Sequence, residues 1–390
     1  VGLVNQGATC YMNALLQQLF QVQKFSSGLL SIEWEELHGF LSANCTGPDA
    51  ESAIGVIFQL QVAFGYLKLS QKRFYDARPF CSVFTDYDGE PLRLGEQKDI
   101  NEFASMLFDK LECNRKSADL VSACFGGKLV YQIISTESSY CSEREEEFKM
   151  ITVEIKDKVS LEEALELFVA GERLSEDNKI MDDVENRKVE AIRRCAIRKL
   201  PDTLIIHLKR FEFDLTTMER KKLNDKLSFP FELDMFPYTE EGVIAREQHR
   251  RAEMCYQEVK SGPKLELKAD AVAGRAHEIA TPDGGANVNA DSAAAETSNC
   301  AQYTLRGVVA HAGAIDSGHY YSFIKDRDSG VWREFNDRSV LPFSSQSIPR
   351  ECFGGEDDDP RQSNVASEQK MREYSAYLLL YDRVDSASSS

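Results

Sequence analysis

Three side chains far apart in the sequence, Cys10, His319 and Asn336, are of types that together perform nucleophilic catalysis. Cys10 lies in NQGATCYMNALLQQLF, residues 5–20, between a polar, glycine-containing stretch and a segment of helical periodicity. A thiolate at a helix start faces the positive end of the helix dipole, and an adjacent imidazolium stabilises it further. His319 follows a turn-prone Asp316-Ser317-Gly318 and opens a strand pattern, and Asn336 ends a second one. A turn at 326–330 between these strands would bring the imidazole and the amide together. A neutral amide beside an imidazole orients the ring and fixes its tautomer without adding charge. Asn5, on the loop before Cys10, has a side-chain NH2 suited to a developing oxyanion.

Each residue alone has a plainer reading. A thiol at a helix start often only packs, a strand histidine is often a satisfied structural group, and an asparagine in a turn is often turn chemistry. The order Cys, His, Asn is that of papain-type cysteine proteases.

The elements that would carry these residues fall into two sets. Up to about residue 112 the periodicity is helical. Met12, Leu15, Leu16, Leu19 and Phe20 form one stripe, a second helix is expected from Ser52 to Leu69, and a third from Asp99 to Glu112. From Phe125 onward KLVYQII, FKMITVEI, TLIIHLKRFEF, YTLRGVVAHAG, HYYSFIKD, VWREF and YSAYLLLYDRV read as strands. One helix interrupts them, 160–169, with Ser160 and Glu163 spaced as a capping box. Helices first and strands afterwards is an α+β order. Residues 240–299, with few aromatics and no sustained period, read as a mobile or disordered insertion, and 385–390 as a flexible tail.

Composition narrows the function. A formal charge of −18, from 46 basic and 64 acidic residues, argues against a nucleic-acid partner and favours a basic one. No run of eighteen apolar residues is present, so no membrane span is expected. Ten cysteines without pairing rhythm in a chain of 390 residues point to a reducing compartment, cytoplasm or nucleus. The chain opens at Val1, inside a motif, and reads as a piece of a longer protein. Its oligomeric state is not legible.

GLVNQGATCYMNALLQQLF, residues 2–20, closely resembles the Cys box of the ubiquitin-specific proteases, and GVVAHAGAIDSGHYYSFIKD with VWREFNDRSV, within 307–340, resembles their His box. EQKDINEF, residues 96–103, is similar to a family motif with Lys98 in place of a glutamine, and FGGKLVYQI and LPDTLIIHLKRFEFD also match in order. The resemblance implies one catalytic domain over 1–384 with a papain-like fold. A helical thumb would occupy 1–115, with β-rich fingers and palm over 124–238 and 300–384. It further implies cleavage after the terminal glycine of ubiquitin, with ubiquitin and ubiquitinated proteins as partners. By resemblance Cys10 is the nucleophile, His319 the general base, Asn336 the third triad member and Asn5 the oxyanion donor, while Asp337 assists polarisation. Asp99 and Glu102 would hold the basic ubiquitin tail, as an i, i+3 pair on one helix face. Gly318 and Tyr320 would border the tail channel, with Tyr321 in the core.

One departure concerns metal. Many family members carry a zinc ribbon of two Cys-x-x-Cys pairs, whereas here Ser135 and Ser138 stand nearest the first pair and Asp182 and Glu185 take the second, with Cys141 out of register. No zinc and no other cofactor is therefore expected. The segment LNDKLSFPFELDMFPYT is most similar to members that form one segment of very large chains. Two rival functions stay open at this stage, a catalytically weak ubiquitin-binding module and a protease for another ubiquitin-like modifier.

Overall fold

The computed structural model of the chain describes residues 1–39, 47–216, 218–261, 301–315, 317–356 and 371–384. In its first third, helices Cys10–Gln21, Pro48–Leu69, Ile100–Glu112 and Arg115–Phe125 pack with shorter ones around one core. The Cys10–Gln21 helix (α1) is buried on every side from Cys10 to Leu19, not on a single stripe. It lies between the other helices and a β-sheet, so its amides are enclosed with its leucines. Each amide NH2 finds an acceptor: Asn13 donates to Asp337, Gln17 to the Val1 carbonyl and Gln18 to the Phe323 carbonyl.

The Pro48–Leu69 helix starts four residues before the expected Ser52, with Pro48 in its first turn and Asp49 and Glu51 at its positive end. Asp49–Leu69 is long and apolar enough to cross a membrane by length and composition. Its Ala53, Val56, Ile57, Leu60, Ala63 and Phe64 are buried within the protein, so filling this core accounts for part of that apolar content, while Phe58, Tyr66 and Leu69 are exposed.

The palm is an eight-stranded sheet in the order Ser339–Pro342, Trp332–Asn336, His319–Lys325, Gln302–Ala312, Tyr374–Arg383, Thr203–Lys209 and Ile151–Glu154, with Glu232–Asp234 paired to Gln302–Ala312. Its central strands are apolar on both faces. Ile205, Val309, Leu378 and Leu380 face the helical core, while Leu204, Ile206, Val308 and Leu379 face a second core beneath. That double burial explains the continuous hydrophobic runs in these segments.

The fingers are a four-stranded sheet, Cys141–Phe148, Gly127–Ser135, Ala191–Lys199 and Glu172–Leu174, with the hairpin Ile180–Asp182 and Arg187–Val189. Cys141–Phe148 was not expected as a strand, because its exposed Ser, Glu and Arg residues lack apolar alternation. The Leu161–Val169 helix is capped by Ser160, whose hydroxyl accepts the Glu163 N–H at 3.3 Å, while the Glu163 carboxylate accepts the Val159 N–H.

The expected insertion needs correction over its first part. Glu240–Ser261 is a helix, capped by the Thr239 hydroxyl on the Gly242 N–H. It is bound to the fingers chiefly by charge: Arg198 meets Glu240 at 2.7 Å, and Arg194, 4% exposed at its side chain, meets Glu247 at 2.6 Å. A helix anchored this way carries little apolar periodicity, so its sequence reads as loop. The remainder of the insertion, 262–299, and the tail 385–390 lie outside the described residues.

Candidate active site

The chain folds so that its first helix and its last hairpin meet. The Ser322 hydroxyl, on the His319–Lys325 strand, donates to the Ala14 carbonyl of α1 at 3.0 Å. Gln18 adds its bond to Phe323 one residue further along that strand. Cys10, at the first position of α1 and 3% exposed, is thereby held against the strand that His319 opens.

The turn that places Asn336 forms as expected. Asp326 Oδ1 accepts the Ser329 N–H, and Gly330 takes a φ of +68°. The strands pair with Ser322 opposite Phe335. Extending that register by one residue sets Tyr321 opposite Asn336, so His319, two residues back on the same face, meets Asn336 diagonally. His319 Nε2 lies 2.8 Å from Asn336 Oδ1. The other ring nitrogen is left free of Asn336, and an interaction with the Cys10 thiol favours the protonated ring.

That surround favours imidazolium. The hydrogen bond with Cys10, then the one with Asn336, and the nearby Cys10 and Asp337 charges raise the His319 pKa to about 9, against partial desolvation. The arrangement suits an imidazolium beside the Cys10 thiol, with its ring fixed from behind by an amide.

Asn5 stands beside this pair with a fixed amide. Its Oδ1 accepts the Gly7 and Thr9 N–H groups at 2.9 and 3.1 Å, and its Nδ2 donates to Asp337 Oδ2 at 2.9 Å. One of the two amide hydrogens is thus spoken for and the second is left for a ligand. Asp337 does more than neighbour Asn336: its Oδ1 accepts Asn13 Nδ2 at 2.8 Å, and its carbonyl accepts the Leu3 N–H. Its φ of +50° turns the side chain back between the two asparagines. Asn13 was missed in the sequence, where the only available signal was a polar residue three places after Cys10.

A cavity of about 380 Å³ opens nearby, lined by Gln97, Asp99, Glu102, Phe213, Arg220 and Tyr320 among others. Asp99 and Glu102 both reach it, but not as an i, i+3 pair on a helix face. Asp99 is the N-cap of Ile100–Glu112, with one carboxylate oxygen on the Asn101 N–H at 2.7 Å and the other on the Tyr377 hydroxyl. Its capping preference outweighs continuation of the helix. Glu102 is the exposed carboxylate of the two. Tyr320 is 2% exposed and packs between His311 and Tyr377, and Tyr321 is partly buried against the second core. A side chain at Gly318 would overlap the His311 ring.

At the expected metal positions, the Ser138 hydroxyl donates to Asp182 Oδ2 at 2.6 Å, and Asp182 Oδ1 accepts the Val184 and Glu185 N–H groups. These bonds hold the Asp182 carboxyl below its usual range. Ser135 Oγ accepts the N–H groups of Glu137 and Ser138. The donor set is oxygen only and already occupied by hydrogen bonds, which does not fit a structural zinc site.

A family model described as ubiquitin carboxyl-terminal hydrolase matches residues 1–381. The chain belongs to the ubiquitin carboxyl-terminal hydrolase family. It is similar to ubiquitin carboxyl-terminal hydrolase 34 of Homo sapiens, 30% identical over 396 residues, which cover 99% of this chain and 10% of that protein. It is also similar to ubiquitin carboxyl-terminal hydrolase 24 of Homo sapiens, 32% identical over 400 residues and covering 100% and 14%, and to ubiquitin carboxyl-terminal hydrolase puf of Drosophila melanogaster, 32% identical over 397 residues and covering 98% and 9%. The chain thus spans about a tenth of the length of these curated relatives, in keeping with its resemblance to segments of very large proteins. As a member of that family it has the papain-like α+β fold.

Proposed function

We propose that the protein removes ubiquitin from modified proteins with Cys10 as nucleophile. The thiolate attacks the carbonyl of the C-terminal glycine, and the Asn5 amide donates to the oxyanion, a contribution of about 2.7–4 kcal/mol for one such donor. His319 gives its proton to the leaving amine, so a thioester to Cys10 forms as the amide bond breaks. It then takes a proton from water, which releases ubiquitin's carboxylate and restores the thiol. Asn336 keeps the imidazole in register, and Asp337 holds Asn5. Glu102 and Tyr320, both on the cavity lining, receive the basic tail, with Gly318 on the loop before His319.

The observation that carries this reading is the His319 imidazole, hydrogen-bonded to Asn336 and set on the strand that is bonded to the helix Cys10 begins. Ten cysteines spaced without pairing rhythm favour action in the cytoplasm or nucleus, and the Ser138–Asp182 bond favours fingers that fold without metal. The decisive measurement is hydrolysis of a ubiquitin C-terminal fluorogenic amide, run beside an electrophilic ubiquitin probe. Wild type should turn over the amide and label on Cys10. Cys10→Ala should lose both while still binding ubiquitin, and residual turnover in that variant would overturn the nucleophile assignment.

A further inference from the structure

Two cations stand at the base of one hairpin, and both are bonded to backbone carbonyls. The hairpin pairs Phe211–Asp214 with Glu219–Lys222. At its foot Arg210, fully buried, donates to the carbonyls of Ala376, Leu223 and Asp225 at 2.6, 2.9 and 3.1 Å. The Leu223 N–H bonds the Arg210 carbonyl at 2.7 Å. The hairpin is therefore anchored to the palm without any help from Lys222.

Lys222 does something different. Its half-buried ammonium donates to the carbonyls of His311, Gly313 and Glu373 at 3.0, 3.1 and 2.7 Å. An ammonium has three hydrogens, and all three are used. His311 is the last residue but one of the strand before the loop that leads to His319, Gly313 begins that loop, and Glu373 precedes the Tyr374–Arg383 strand. One wall of the acidic cavity is this hairpin, through Phe211, Phe213 and Arg220, and another is that loop and the strand after it, through Ile315 and Tyr320. Lys222 is the covalent end of the first wall and the hydrogen-bonding centre of the second.

We propose that Lys222 is a positioning residue for substrate, a clamp that fixes the loop before His319 to the hairpin across the cavity that receives the ubiquitin tail. The clamp sets the width of the cavity and leaves the Cys10–His319 pair untouched. Its substrate arm rests on the deubiquitinating reading given above. Charge-assisted bonds to carbonyls are the strong kind, and loss of all three frees one edge of the cleft while Arg210 keeps the fold.

The test compares wild type, Lys222→Met and Lys222→Arg in two assays. With a ubiquitin C-terminal amide, Lys222→Met should raise KM about tenfold or more with kcat changed less than about threefold, and Lys222→Arg should recover part of that loss. Alkylation of Cys10 by iodoacetamide should proceed at the wild-type rate in both variants. Hydrogen exchange should quicken at residues 313–319 in Lys222→Met and stay unchanged in Thr203–Lys209 and Tyr374–Arg383. A wild-type KM together with wild-type exchange at 313–319 overturns the clamp, as does global unfolding of both variants, which would make Lys222 a general structural residue. Wild type that fails to cleave the ubiquitin amide counts against the deubiquitinating reading instead, and the exchange result then decides the clamp alone.

Discussion

Asp337 is an anion shared by two asparagines, and that sharing ranks the residues around Cys10. Asn5 faces the oxyanion, whereas Asn13 acts only by holding Asp337 in place. Asn5→Ala should lower kcat by about 10²–10³, as expected for loss of one oxyanion donor. Asn13→Ala should lower it less, with KM nearly unchanged in both, and an Asn13 effect equal to or larger than that of Asn5 would place Asn13 at the oxyanion itself. His319 makes a second prediction through its pKa, raised to about 9 by its bonds to Cys10 and Asn336. A base whose folded pKa lies above its unfolded value, about 6.5, contributes stability that is complete below that value. The contribution disappears as pH rises through about 9. Thermal midpoints of wild type and His319→Ala, measured from pH 6 to pH 10, should differ most at the acid end and converge above about 9; a gap that widens with pH would reverse the assignment. Cys10, His319, Asn336 and Asn5 could be singled out in the sequence because the motifs around them resemble a known family, whereas their types alone left plainer readings open. Asn13 and Lys222 were not, since a helix amide and a strand lysine have ordinary surface readings until the fold encloses them.

At the scale of elements, legibility followed apolar content. The strands 203–209, 302–312, 319–325 and 374–383 were visible because burial on two faces makes them hydrophobic throughout. The Cys141–Phe148 strand was hidden because a backbone ladder to Gly127–Ser135 holds it while its side chains are polar and exposed, and the Glu240–Ser261 helix because ion pairs attach it. Those two elements meet at Arg198, which bonds Glu143 and Glu145 on the strand and Glu240 on the helix. The more enclosed contact is Arg194 with Glu247, supported by the Gln132 amide oxygen at 2.8 Å from Arg194 Nε. Glu247→Ala leaves a buried guanidinium with only that neutral partner. It should destabilise the domain by about 1–3 kcal/mol, less than loss of a fully buried pair because the Glu247 side chain is 31% exposed. Chemical denaturation measures this directly, and an unchanged midpoint would show that the helix is not held through Arg194. Exchange protection over 240–250 should fall in the same variant while protection in α1 stays as it was.

The whole molecule carries a formal charge of −18, and its cavity, lined by Asp99, Glu102 and Glu212 beside Lys98 and Arg220, reaches Tyr320, the residue after His319. For a ligand with a basic tail this charge acts before contact, since a negative field concentrates the ligand at the cleft and speeds encounter. Such steering is screened by salt, with a Debye length of about 30 Å at 0.01 M and about 3 Å at 1 M. The bond-making steps take place around a half-buried imidazole and are screened far less. Hence kcat/KM for a ubiquitin amide should fall severalfold between about 10 mM and 500 mM salt, mostly through KM, while kcat and iodoacetamide alkylation of Cys10 change little. Glu102→Gln separates local from global charge. Removing one exposed carboxylate at the cavity changes the net charge from −18 by a single unit, so a marked flattening of the salt dependence locates the steering at the cleft. An unchanged slope with a uniformly raised KM would make Glu102 a contact that forms only after docking, and a salt-independent kcat/KM in wild type would remove the acidic surface from recognition altogether.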